Sequence, residues 1–251
     1  MKTMATRALA ALAILALSES AAAGDGPPPP RKQRVTFAEG ASSATIDGAL
    51  KGDADVDYVV RAAAGQTLEL KLQGTNSQND FNVLPPGSND VAMFVSSMTG
   101  AQSWSGMLPA DGDYTIRVYL MRPAARRNES SKFTLTVAVT GKPLPALPAA
   151  RDAKVAGTAY HATAEVPCTL PYQPDVKSCA AGVVRRGNDG TATFETSGPT
   201  GVQRRILFVR GKPVAADTMD PVTATRQGDV TVVKVGDTER YDVPDAFLNG
   251  G

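Results

Sequence analysis

GMLPADGDYTIRVYLMRPAARRNESSKFTLTVAV, residues 106–139, carries the clearest secondary-structure signal in the chain. Tyr114, Ile116, Val118 and Leu120 alternate with Asp113, Thr115, Arg117 and Tyr119, the period-two pattern of a strand with one buried face. Phe133, Leu135, Val137 and Val139 repeat it against Lys132, Thr134, Thr136 and Ala138. Asp111-Gly112-Asp113 is a turn signal ahead of the first strand. The connection from Arg122 to Ser131 opens with Arg-Pro, which suits neither a helix interior nor a central strand. It sets Arg122, Arg126 and Arg127 against Glu129 alone, and predicts a cationic loop on a rigid β-scaffold.

On either side the chain reads as short strands between Gly, Asn, Asp and Pro turns. Strands are predicted near 35–38, 43–48, 55–62, 66–73, 80–84, 91–96, 113–121 and 132–140, enough for a jelly-roll-like β-sandwich. The proline-rich residues 141–151, with GKPLPALP at 141–148, divide this unit (35–140) from a second small β-rich domain at 152–251. In the second unit, Arg204 to Val209 mixes apolar and polar residues, as in a strand covered on both sides. No sustained helical periodicity follows residue 23, and the expected fold class is all-β.

Residues 1–23 have the make-up of a secretory signal peptide. Lys2 and Arg7 are the charged region, 8–17 the apolar run, and Ala21-Ala22-Ala23 the small-residue cleavage site. Ten apolar residues are too few for a helix to span a bilayer, so no membrane span is expected. Residues 24–34, containing DGPPPPRKQR, read as a semi-rigid tether. The chain has 26 basic and 25 acidic residues; without Lys2, Arg7 and Glu19 it has 24 of each. Such balance argues against nucleic-acid binding, which needs a basic field to displace counterions.

Several separated motifs occur in the order found in a known family. They are Val35-Thr-Phe, GASSAT at 40–45, Lys51-Gly52, Ala64-Gly65-Gln66, NVLPPGS at 82–88 and DGDYTIRVYLMRPAARRNE at 111–129. Residues 35–140 thereby resemble the periplasmic inhibitors of g-type (goose-type) lysozyme. The resemblance implies a periplasmic β-sandwich that binds g-type lysozyme, with Arg122 and Arg126 at the positions of two arginines on the binding face. Ser105-Gly106, with Trp104 beside it, stands where lysozyme inhibitors of several types present a small-residue loop, and Arg127 adjoins the arginine pair. The family often has Tyr after the Lys-Gly pair, on its lysozyme-contacting surface; this chain has Asp53. Residues 152–251 resemble an uncharacterised domain of exported proteobacterial proteins, which implies no activity.

The arginines have a chemical reason to be there. Lysozyme clefts work with carboxylates, and a guanidinium gives them bidentate, charge-assisted hydrogen bonds that Lys matches poorly. The competing reading is a solvated loop whose arginines pair with Asp111, Asp113 or Glu129. Trp104, among Ser and Gly, is either a core plug or an exposed anchor. Asp53, Asp55 and Asp57 suggest either a calcium site or a polar edge, but lack the glycine turn and distal Glu of a calcium loop. Neither metal nor cofactor is expected.

Cys168 and Cys179 are the only cysteines, and in an exported chain they predict a structural disulfide. His161, the only histidine, lacks any recognisable nucleophile partner and reads as structural or solvent-facing. No catalytic residue and no enzymatic activity are expected. The functional expectation is an exported inhibitor of g-type lysozyme; the alternative is a non-inhibitory periplasmic β-sandwich protein that is structural or binds a ligand or peptidoglycan.

Overall fold

The computed structural model describes residues 29–198, 201 and 203–250; the expected signal peptide and the first residues of the tether lie outside the described residues. Its first nine strands are β1 (Arg31–Arg34), β2 (Ser43–Lys51), β3 (Val56–Ala62), β4 (Thr67–Gly74), β5 (Asn79–Leu84), β6 (Phe94–Val95), β7 (Ser103–Met107), β8 (Gly112–Leu120) and β9 (Ser130–Thr140). They form a five-stranded sheet, β1-β3-β8-β5-β6, and a four-stranded sheet, β2-β9-β4-β7. The alternation read in 106–139 is realised residue by residue. Tyr114, Ile116, Val118 and Leu120 are buried from β8, and Phe133, Leu135, Val137 and Val139 from β9. These two faces meet Leu68, Leu70, Leu72, Tyr58 and Phe81 in one core between the sheets, the packing of a β-sandwich.

Three local readings change. Arg31–Arg34, expected in the tether, pairs in parallel with β3 from Arg31↔Val56 to Arg34↔Val59, while 35–38 is not a strand. An extended proline-led segment needs only to turn its backbone toward an open edge to pair there. β7 was not expected, because SWSGM lacks apolar alternation; it lies at a sheet edge, where a strand buries little. The expected cationic loop begins as a one-turn helix, α2 (Arg122–Arg126), and a second short turn, α1 (Ser96–Thr99), replaces the end of the strand predicted at 91–96. Pro123 is tolerated because it sits in the first turn, where its missing N–H would have had no partner.

The three aspartates do not share one strand. β3 begins at Val56, so Asp53 and Asp55 precede it and only Asp57 lies in the strand. Asp57 is buried and takes Arg117 Nε and Nη2 at 2.7 and 2.9 Å. Among the described residues, no group of three or more His, Cys, Asp or Glu side chains is arranged to hold a metal ion.

The second half contributes β10 (Ala162–Thr169), β11 (Ser178–Arg185), β12 (Ala192–Ser197), β13 (Gln203–Val209), β14 (Lys212–Ala216), β15 (Val222–Gln227), β16 (Val230–Val235), β17 (Glu239–Pro244) and the short α3 (Asp245–Asn249). All neighbours are antiparallel, and β17 pairs with β10 through Cys168↔Tyr241. That pairing curls an eight-stranded meander into a nearly closed barrel. Val183, Phe194, Ile206, Phe208, Val233 and Tyr241 fill it, with Phe247 and Leu248 of α3 packed into the same core. β13 is covered on both sides, as its mixed sequence implied: Arg205 and Leu207 are buried as fully as Arg204 and Ile206. The Cys168–Cys179 disulfide is present and joins β10 to β11.

The barrel is clamped to the sandwich. Arg186, its side chain 1% exposed, donates to Asp111 Oδ2 at 2.9 Å and to the Leu144 carbonyl at 2.6 Å. Thr193 Oγ1 donates to the Pro109 carbonyl at 2.7 Å. The proline-rich connection is itself bonded on both sides, Leu144 N–H to the Ala64 carbonyl and Leu147 N–H to the Arg185 carbonyl, each at 2.8 Å. His161 completes the joint: Nδ1 accepts the Arg185 N–H at 2.9 Å and Nε2 bonds the Leu147 carbonyl at 3.0 Å. Both ring nitrogens are thereby committed to the backbone, in keeping with a structural histidine.

Candidate functional site

The arginine turn is positioned by what lies beneath it. Ala124 and Ala125 are buried, and Met121 N–H is tied to the Gln78 carbonyl at 2.8 Å. The turn ends where Asn128 takes a left-handed conformation at φ 54° and Glu129 N–H returns to the Ala124 carbonyl at 3.1 Å. Small side chains therefore dock this helix, and its long ones point to water. Arg122 and Arg126 are four residues apart, so they project from one face.

The three counter-charges anticipated from the sequence are already taken. Asp111 pairs with Arg186, Asp113 with Arg34 at 2.8 Å, and Glu129 with Arg127 at 2.6 Å. Glu129 also accepts from Asn76 at 2.7 Å, and these hydrogen bonds, Asn76 first and Arg127 second, hold its carboxyl below the usual range. Among the described residues no carboxylate lies within 4.0 Å of Arg122 or Arg126. Of the three acids anticipated as partners for the loop, Asp111 and Asp113 serve arginines elsewhere and only Glu129 pairs within it, with Arg127.

The turn between β2 and β3 abuts this helix. Gly52 N–H donates to the Glu129 carbonyl at 2.9 Å, and a Cβ on Gly52 would lie 2.8 Å from Asn128 Oδ1. Gly52 also has φ 58°, so only glycine combines that conformation with that approach. Lys51 and Asp53 flank it. Behind them a shallow pocket of about 520 Å³ is bordered by Lys51, Lys132, Thr75 and Ser130.

Trp104, Ser105 and Gly106 lie elsewhere. They are in β7, with Leu70↔Trp104 and Leu68↔Gly106, and Leu70 is level with Val137 of β9. At ~3.3 Å per residue, Val137 is about 23 Å along β9 from Ser130 beside the arginine turn. Trp104 stacks on Phe94, ring centroids 5.6 Å apart at 30°, and lies over Gly106, whose added Cβ would be 2.3 Å from its Cζ2. It packs against the sandwich core as a plug, and Ser105 sits in a strand rather than a loop tip.

A curated protein of Escherichia coli (strain K12), named an inhibitor of g-type lysozyme, is 30% identical over 142 residues, covering 55% of this chain and 99% of that protein. The chain belongs to the family of g-type lysozyme inhibitors. Solved structures of two periplasmic g-type lysozyme inhibitors also match. That from Aeromonas hydrophila is 37% identical over 44% of this chain and 97% of its own, with a TM-score of 0.42. That from Salmonella Typhimurium is 27% identical over 44% of this chain and 98% of its own, with a TM-score of 0.36. No protein-family model matches the chain. Asp53 follows Gly52, whose N–H is tied to Glu129, and so stands beside the arginine turn.

Polar groups that sequence reading missed are concentrated in the barrel. Arg204 and Arg205 converge on Asp217, with Glu239 and Glu195 completing the network. The signal was only a doubled arginine inside an apolar strand; its partners lie 10 to 35 residues away.

Proposed function

We infer that this protein is an exported, periplasmic inhibitor of g-type lysozyme, not an enzyme, and that Arg122 and Arg126 are its principal contacts. The observation that carries this reading is a pair of guanidiniums on one face of an anchored turn, with no carboxylate partner among the described residues. Surface arginines that serve only solubility are commonly paired or dispersed; two at i and i+4 on one helical turn repel each other mildly, which an acidic partner relieves. A lysozyme cleft supplies such a partner, because its catalytic carboxylates flank the scissile bond. Each guanidinium engages a carboxylate in a fixed fork, blocking the cleft without any covalent step. The relatives described as periplasmic inhibitors of g-type lysozyme support the same partner and compartment. In this reading residues 35–140 are the inhibitory module, 141–151 a bonded connector, and 152–251 an added domain.

The test is titration of the purified protein against goose-type, chicken-type and invertebrate-type lysozymes, following lysis of peptidoglycan. Dose-dependent inhibition of the goose type is expected. A folded protein that inhibits none of them would overturn the proposal and favour the non-inhibitory reading, in which Asp53 has taken the place of a contact residue.

A further inference from the structure

A cavity of about 320 Å³ lies on the outer wall of the barrel, bounded by Tyr160, Glu165, Glu195, Ser197 and Gln203 among others. Strand register explains its shape. Thr163↔Gly182↔Glu195↔Arg205 form one row across β10 to β13, and Glu165↔Ala180↔Ser197↔Gln203 form the next. Polar banks on β10 and β12 are thus separated by the small residues of β11, a gap of about 10 Å at the ~4.8 Å strand spacing.

Tyr160 occupies part of that gap. A Cβ built on Gly182 would lie 2.5, 2.5 and 2.6 Å from Cγ, Cδ2 and Cδ1 of Tyr160. Near-equal distances to three adjacent ring atoms mean that the ring lies flat over Gly182, leaving its other face outward. The Tyr160 hydroxyl is pushed up to about 12, by burial first and then by the charge and hydrogen bond of Glu195. It is therefore a proton donor fixed in place throughout the physiological range. Arg205 holds the opposite bank, donating to Glu195 Oε2 at 3.2 Å and to Gln203 Oε1 at 2.7 Å. Ser178 holds Glu165 at 2.7 Å. Beyond Gln203 a second cavity of about 330 Å³ continues toward Ser88 and Asn89 of the sandwich.

We propose that this groove binds an uncharged oligosaccharide, one sugar ring lying on the open face of Tyr160 while Glu165, Glu195 and Gln203 take its hydroxyls. An aromatic face suits the C–H surface of a pyranose, and fixed carboxylates accept hydroxyl hydrogens in pairs. Glu165, held by a neutral hydroxyl and not by an arginine, disfavours acidic glycans. The second cavity, sharing Gln203, gives an extended chain a continuation. β8 separates this region from the arginine turn: Asp111, just before it, is gripped by the barrel, and Arg122 follows its far end, about 26 Å on at ~3.3 Å per residue. Glycan and lysozyme surfaces are therefore separate, and the proposal stands independently of inhibition.

The test is calorimetric titration of the full protein with tetra-N-acetylchitotetraose, with oligogalacturonate as the acidic comparison. Saturable binding of the neutral sugar is expected, weakened at least ~10-fold in Tyr160→Ala and in Glu165→Gln. Glu165 is exposed, so its variant reports on the groove even if the tyrosine change perturbs folding. No heat of binding up to about 5 mM sugar, equal binding of the acidic oligomer, or unchanged affinity in folded variants would each overturn the assignment.

Discussion

Two arginine pairs define the two halves of this molecule, and their surroundings give them opposite roles. Arg204 and Arg205 of the barrel are buried and surrounded by Asp217, Glu239 and Glu195, and their charge goes into holding strands together. Arg122 and Arg126 of the sandwich are exposed on a turn, and among the described residues neither has a carboxylate within 4.0 Å. The difference shows that a cluster of arginines in sequence carries no functional meaning until its counter-charges are located. A saturated arginine is structural; an arginine held in place without a partner is available for one.

The strongest way to sharpen that contrast is to remove one arginine from the saturated pair. Arg204→Ala leaves Glu239, 10% exposed, without its bidentate partner and Asp217, 1% exposed, without one of its two arginines. Losing one member of a buried ion pair costs about 3–5 kcal/mol, so chemical denaturation should show a stability drop of that size. Inhibition measured per folded molecule should be unchanged, because the barrel network lies beyond β8 from the arginine turn. A smaller effect comes from within the turn itself. Arg127→Ala breaks an exposed pair with Glu129 and should leave the melting temperature close to that of the unaltered protein, with inhibition near the unaltered level. If Arg127→Ala abolished inhibition, the distinction between paired and unpaired arginines would fail.

The smallest effect concerns pH. Glu129 is held below its usual range by Asn76 and then Arg127. A carboxylate with a depressed folded-state pKa adds stability above its unfolded value and loses it as pH falls through the folded one. Between about pH 5 and 3, spanning the ~4.3 of free glutamate, the unaltered protein should lose melting temperature slightly faster than Glu129→Gln. Parallel melting curves for the two would mean the Asn76–Glu129–Arg127 contacts contribute nothing.

Much of the sandwich was legible because its strands bury one face each. Phe133, Leu135, Val137 and Val139 announce β9 by period alone, and the longest family motif, 111–129, contains all of β8. β7 and α2 were not legible for the converse reason. Ser103–Met107 has only Trp104 to bury, and Pro123 signals an interruption although it also suits a helix's first turn. In the site, sequence pointed to Arg122 and Arg126 but could not show that Asp111 pairs with Arg186, 75 residues later. It also grouped Trp104, Ser105 and Gly106 with the arginines, whereas the register of β4, β7 and β9 carries them to the other end of the sheet. The barrel groove was hidden for the same reason: Tyr160 and Gly182 become a platform only when β10 and β11 pair.

The central claim is that Arg122 and Arg126 are kept free for a carboxylate-bearing cleft. Its most direct measurement is the affinity of g-type lysozyme for Arg122→Ala/Arg126→Ala beside the unaltered protein, with melting temperatures recorded for both. Loss of two central arginine contacts predicts affinity weakened about 100-fold or more at an unchanged melting temperature. Equal affinity in the folded double variant would contradict the account and move the contact surface away from the turn.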